Sequence, residues 1–236
     1  FWLGRQTVSG LINAPILDVT SNPIPLGIIW LNAIPVINWG AYGVALFFLI
    51  SGFVIPFSLE KTSLLGFLAN RFFRIVPTYI VGFSVSLLAI YICSLYFSQI
   101  WPFNTAQVFI HYLPGLRDIL LSKEIDGIVW TLEVETKFYL ICAILILWFR
   151  NHSLKVFIAP LILFAVGLYL NNRMSGMSEM RWMYTATYML ESQYVIYMFI
   201  GVLFNYLYQK KISPVQTIFG LMVLFSLFCI QWINGP

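Results

Sequence analysis

Four ionisable residues sit inside apolar stretches that should not carry them: Glu133, Glu135 and Lys137 within Trp130–Tyr139 (WTLEVETKFY), and Glu191 in a later run. Near mid-membrane such a group costs a few kcal/mol or more, so each marks either a function or a partner. On a helix Glu133 and Lys137 stand four apart with the acid first, the favourable order for an ion pair, and they are expected to neutralise each other. Glu135 is turned about 200° from Glu133 and finds hydroxyls at i−4 and i+4, on Thr131 and Tyr139. A carboxylate with hydroxyl neighbours and no cation on its own helix fits two readings. It can handle a proton or orient a substrate hydroxyl, or it can make a structural hydrogen bond between helices. We take the first for Glu135 and the second for Glu133, and an interfacial structural role for Glu191.

A second constellation is Arg71–Tyr79 (RFFRIVPTY). Arg71 and Arg74, at i and i+3, share a helix face, and guanidinium forks suit bidentate capture of phosphate. Basic residues beside a span also anchor helices at the anionic inner leaflet, and spacing alone leaves both roles open. His111 and His152, the two histidines, show no Ser or Asp partner of the triad kind and read as structural and solvated, respectively. The sequence shows no metal-ligand spacing, phosphate-binding glycine loop or dinucleotide fingerprint, so no metal is expected. Cys93, Cys142 and Cys229 each fall inside an apolar run without such spacing.

These groups must be positioned by a membrane. The 236 residues are 60% hydrophobic and 9% charged, where a soluble domain carries about 25% charged residues, which excludes a soluble fold. A net charge of +4, dispersed between apolar segments rather than gathered in a stripe, excludes a nucleic-acid partner. Residues 19–59, 75–116, 156–172 and 212–236 lack Asp, Glu, Lys and Arg altogether. Apolar length and Pro, Gly and polar punctuation predict an all-α, polytopic transmembrane bundle of six full spans near 40–58, 77–98, 128–149, 154–171, 186–208 and 213–233. Residues 20–38, with three prolines, and 99–127, broken at Pro102 and Pro114–Gly115, read as irregular or re-entrant connections. Ser51 and Gly52 are expected to add irregular backbone where a cavity lets water satisfy it.

Orientation follows from the basic residues. The short connections after the first, third and fifth spans hold Lys61, Arg71, Arg74, Arg150, Lys155, Lys210 and Lys211, and the longer alternate ones hold Arg5, Arg117, Lys123, Arg173 and Arg181. By the positive-inside rule the short connections are cytoplasmic. With no signal peptide and no Met at its start, the chain is read as one membrane-embedded domain, 1–236, truncated at both ends.

Three segments in order resemble the acyltransferase type 3 family, integral membrane enzymes that acylate surface carbohydrates and related acceptors. Gly43–Phe53 (GVALFFLISGF) is similar to the family's Gly-Val-x-x-Phe-Phe-x-x-Ser-Gly-Phe, Arg71–Tyr79 to its paired-arginine motif ending Ile-x-Pro-x-Tyr, and Trp130–Tyr139 to Trp-Ser-Leu-x-x-Glu-x-x-Phe-Tyr. The resemblance implies a cytoplasmic acyl-CoA co-substrate, commonly acetyl-CoA, with no bound cofactor. It further implies a carbohydrate or glycolipid hydroxyl as acceptor, contacts to membrane lipids, and a bacterial inner membrane. It implies that Arg71 and Arg74 contact the donor's phosphates, and it places the motif glutamate at Glu135.

Three departures matter. Thr131 stands for the usual Ser, and Lys137 for a common Gln. The family's first span also carries an Arg followed eleven residues later by a His expected to be the base, whereas eleven residues after Arg5 comes Ile16; the histidine is expected just before Phe1. The alternative reading is a transporter or flippase of a lipid-linked or anionic saccharide, and a third is a membrane scaffold or polysaccharide polymerase subunit.

Overall fold

The structure is a computed structural model that describes residues 26–27, 38–122, 124–125, 127, 129–173 and 178–235. The irregular connection expected at 20–38 lies outside the described residues except for its last residue and positions 26–27, as do Arg5, Ile16, Lys123 and Asp126. The described chain is helical: α1 (Trp39–Lys61), α2 (Leu64–Tyr96), α3 (Thr105–His111), α4 (Leu116–Leu120), α5 (Val129–Ile144), α6 (Ile146–Arg150), a 3-10 turn (Leu154–Phe157), α7 (Ile158–Asn171), α8 (Glu179–Tyr208) and α9 (Pro214–Asn234).

Polar caps set the helix starts inside apolar sequence. The Asn38 side chain accepts from Ala41 N, Ser63 from Gly66 N and Asn104 from Gln107 N, while Ser213 and Gln216 close a reciprocal box ahead of Pro214. Five helical segments are long and apolar enough to cross a membrane: α1, α2, the 3-10 turn with α7, α8 and α9. The third expected span, 128–149, is instead split at Leu145 into α5 and α6. Its inner face still packs, with Val134, Phe138, Cys142 and Phe149 almost wholly enclosed. α2 starts at Leu64, thirteen residues ahead of the expected start at residue 77, and runs through Pro77. Its 33 residues measure about 50 Å against a hydrocarbon core of about 30 Å, so its first turns lie outside that core or the helix tilts. Arg71 and Arg74, counted with the short connection after the first span, therefore stand within the helix whose face they share.

The bundle is organised around α8. Two thirds of its apolar window is buried, 67%, against 28% or less in the other four spans, and it packs on α1, α9, α7 and α5. Backbones meet most closely where Gly52 of α1 crosses Gly201 of α8. A Cβ on Gly52 would lie 1.9 Å from Met198 O, and one on Gly201 2.2 Å from Leu49 O. Small residues permit such contact between helices in lipid, where no hydrophobic force between them substitutes for packing. Ser51 and Gly52 therefore serve a continuous helix, correcting the expectation of irregular backbone there. One turn further, Asn205 Nδ2 donates to Phe53 O at 2.8 Å, beside the ladder that Pro56 interrupts.

The three short connections meet at one end of the bundle. Arg150 donates to the carbonyls of Leu59 and Thr62, and Gln209 Nε2 to Glu60 Oε1 at 2.8 Å. These bonds put the connections after α1, α6 and α8 on one side, as the basic residues require. Large apolar side chains such as Phe73, Val81, Ile144 and Phe219 point outward, where lipid solvates them.

Candidate active site

The site is built on three helices. Ser51 lies at mid-length of α1, Arg71, Arg74 and Tyr79 lie on α2, and Glu135 and Tyr139 lie one turn apart on α5. Glu135 is 5% exposed. Its Oε1 accepts two hydrogen bonds, from Ser51 Oγ at 3.1 Å and from the Tyr139 hydroxyl. The i+4 geometry read from the sequence thus brings Glu135 and Tyr139 into contact, and α1 supplies a second hydroxyl that helical spacing cannot reveal.

Glu135 borders a cavity of about 370 Å³ whose wall includes Phe47, Arg74, Thr78, Tyr79 and Ser86. Arg74 and Glu135, from separate motifs, face the same space. Thr131 stands one turn before Glu135, half-buried, and is not part of this wall. Arg71 takes a different position from Arg74. Its guanidinium lies over the rings of Phe67 and Tyr139, 5.6 and 5.5 Å from their centroids, an arrangement worth about 0.5–2 kcal/mol. Its Nε is buried without a hydrogen-bond partner among the described residues. Arg71 borders a second, mostly apolar cavity of about 600 Å³, and Ile75 separates the two spaces. The paired arginines thus serve two adjoining cavities rather than one clamp.

Glu133 and Lys137 do not pair, contrary to the expectation from their spacing. Both Glu133 oxygens are bound by Arg117 of α4, with Arg117 Nε at 3.0 and 3.1 Å. Lys137 reaches Asp118 Oδ2 at 2.6 Å and Glu191 of α8. Arg117 Nη2 also donates to Asp118 Oδ1 at 2.8 Å. An interhelical partner was expected for Glu133, but not its source. The α4 turn drops Arg117 and Asp118 between α5 and α8, and a single-helix wheel cannot see a group 16 residues upstream. Glu191 likewise joins the network and is 4% exposed. Oxygens of Asp118, Glu133 and Glu191 all lie within 4.8 Å of one another, with the two cations bonded among them.

His111 is fully enclosed, stacked on Phe83 with its Nδ1 2.9 Å from Gln107 O, while the Tyr79 hydroxyl donates to His111 O. This is the structural role its type predicts. His152 Nδ1 lies 3.7 Å from Glu60 Oε1 in the loop after α6.

Comparison with known proteins places these groups in a class. The acyltransferase 3 family, described as an acyltransferase domain, matches residues 11–235, and the chain belongs to that family. With its apolar helices, this makes it a multi-pass integral membrane protein of that family. It is also similar to nodulation protein 10 of Rhizobium leguminosarum bv. viciae, 29% identical over 142 residues that cover 52% of this chain and 39% of that protein. The chain therefore matches well under half the length of that curated relative. No solved structure matches it.

Proposed function

We propose that the protein transfers an acyl group, acetyl being the expected one, from cytoplasmic acyl-CoA to a hydroxyl of a cell-surface or exported carbohydrate. Residues 1–236 would act as one membrane-embedded domain in a bacterial inner membrane. The observation that carries this reading is the shared cavity in which Arg74 faces Glu135 while Ser51 and Tyr139 hold the carboxylate.

The acceptor oxygen attacks the thioester carbonyl, the C–S bond breaks, and the departing sulfur takes up the proton that the hydroxyl loses. Glu135 is suited to orient the acceptor hydroxyl or the base, because both hydrogen bonds on it among the described residues fall on Oε1 and leave Oε2 for a ligand. The family resemblance supplies a histidine as the base that takes the hydroxyl proton. Coenzyme A carries a diphosphate and a separate ribose phosphate. Two arginines that open into adjoining cavities suit two such groups better than one. Tyr139 links the pair to the carboxylate, since its ring lies under Arg71 and its hydroxyl bonds Glu135.

The test is whether the full-length natural protein in proteoliposomes moves a labelled acetyl group from acetyl-CoA to membrane glycan. Label in the glycan supports the reading. Saccharide crossing the bilayer with no acetyl-CoA consumed would replace it with the transporter reading.

A further inference from the structure

Around the ion network lies a feature that the acyl-transfer reading does not use. Glu191 gives one oxygen to Lys137, while its Oε1 is buried and has no partner among the described residues. That side chain borders a pocket of about 390 Å³ walled by Arg117, Glu124, Trp130, Thr187, Glu191 and Tyr194. The aromatic wall is fixed. Trp130 and Tyr194 have ring centroids 5.3 Å apart, and Phe48 packs on both at 6.1 and 5.5 Å. Rigid aromatic walls with few convergent polar groups characterise small-molecule sites, and their preorganisation lowers the entropic cost of binding.

The chemistry of the wall narrows the ligand. Glu124 and Glu191 disfavour an anion, while Arg117 and Lys137 already hold the network's carboxylates as cations. A neutral molecule fits if it donates a hydrogen bond to Glu191 Oε1, accepts one from Arg117 or Thr187, and lays a C–H face on an aromatic ring. A pyranose does all three. We propose that this pocket is a pyranose-binding subsite for the acceptor saccharide. Trp130 lies five residues from Glu135 on α5, about 7.5 Å along the axis and about 140° around it. The subsite thus holds a sugar unit beside the Glu135 cavity and not the one that reacts. Only the name acceptor rests on the acyl-transfer reading; the binding does not.

The experiment is saturation-transfer NMR on the protein in nanodiscs, without acyl donor, using the methyl pyranosides of glucose, mannose, galactose and N-acetylglucosamine. At least one should show transfer to its ring C–H protons, reduced at least fivefold by Trp130→Leu and by Glu191→Gln and unchanged by Leu154→Ala at the opposite end. Thr187→Val, outside the ion network, repeats the test should either variant unfold. No transfer from any pyranoside, or transfer that persists in all three pocket variants, overturns the proposal. So does a calcium-induced rise in melting temperature with no pyranoside signal, which would assign the pocket to a cation. Binding without acyl transfer leaves the subsite standing and removes the acyl-transfer reading. Acyl transfer with an unchanged acceptor KM in Trp130→Leu leaves that reading standing and overturns the assignment of the subsite to the acceptor.

Discussion

Ser51 of α1 donates a hydrogen bond to Oε1 of Glu135 on α5 across 3.1 Å, although 84 positions separate them in the chain. With Tyr139 on the same oxygen, two hydroxyls fix one carboxylate. A hydrogen bond to a charged group contributes about 1.5–3 kcal/mol. Ser51→Ala and Tyr139→Phe should each lower acyl transfer roughly 10- to 100-fold if that orientation matters in the transition state. The double variant should lose less than the product of the two, since both act through Glu135. Steady-state rates over the four-member cycle read this directly, and strictly multiplicative losses would show that the hydroxyls act independently.

The arginines should separate by kinetic signature. Arg74→Ala, at the Glu135 cavity, removes a charge-assisted contact and should raise KM for acyl-CoA by about tenfold or more. Arg71→Lys keeps the charge but loses the planar stack on Tyr139 and Phe67 and should not restore full activity. Acyl-CoA titrations of both variants check the pair.

The ion network should dominate stability at the end of the bundle opposite the short basic connections. Arg117→Met strands Glu133, which is fully enclosed, and breaking one partner of a buried pair costs about 3–5 kcal/mol. Arg117→Met with Glu133→Leu should recover much of that loss, because an apolar pair carries no unpaired charge. Melting in detergent reports both; equal destabilisation in the single and double variants would contradict the pairing.

Helix crossing at Gly52 and Gly201 should tolerate no methyl group. Gly201→Ala should sharply lower melting temperature and yield, because its Cβ would strike Leu49 O, while Gly43→Ala, with nothing within 4 Å among the described residues, should be neutral.

Much of the bundle was legible because membrane helices advertise themselves as long apolar runs. The starts of α7 and α9 fall within a few residues of the expected positions. The start of α2 was hidden because Arg71 and Arg74, though read as sharing a helix face, were counted with the connection after the first span, yet lie on its early turns. The break at Leu145 carries no Pro or Gly signal. Within the site, Glu135 and Tyr139 could be paired from i+4 spacing, whereas Ser51 could not, since its partner lies on another helix. The expected Glu133–Lys137 pair failed for the same reason: local spacing cannot weigh Arg117, Asp118 and Glu191, which tertiary structure brings closer.

The central claim is that Glu135 is the carboxylate on which acyl transfer turns, and Glu135→Gln tests it most directly. The substitution keeps volume and removes charge. Transfer of labelled acetyl from acetyl-CoA by the full-length protein should fall about 100-fold or more, the scale on which loss of one preorganised polar group acts, while melting temperature and acyl-CoA binding stay near wild type. Wild-type transfer by a folded Glu135→Gln protein would contradict the account.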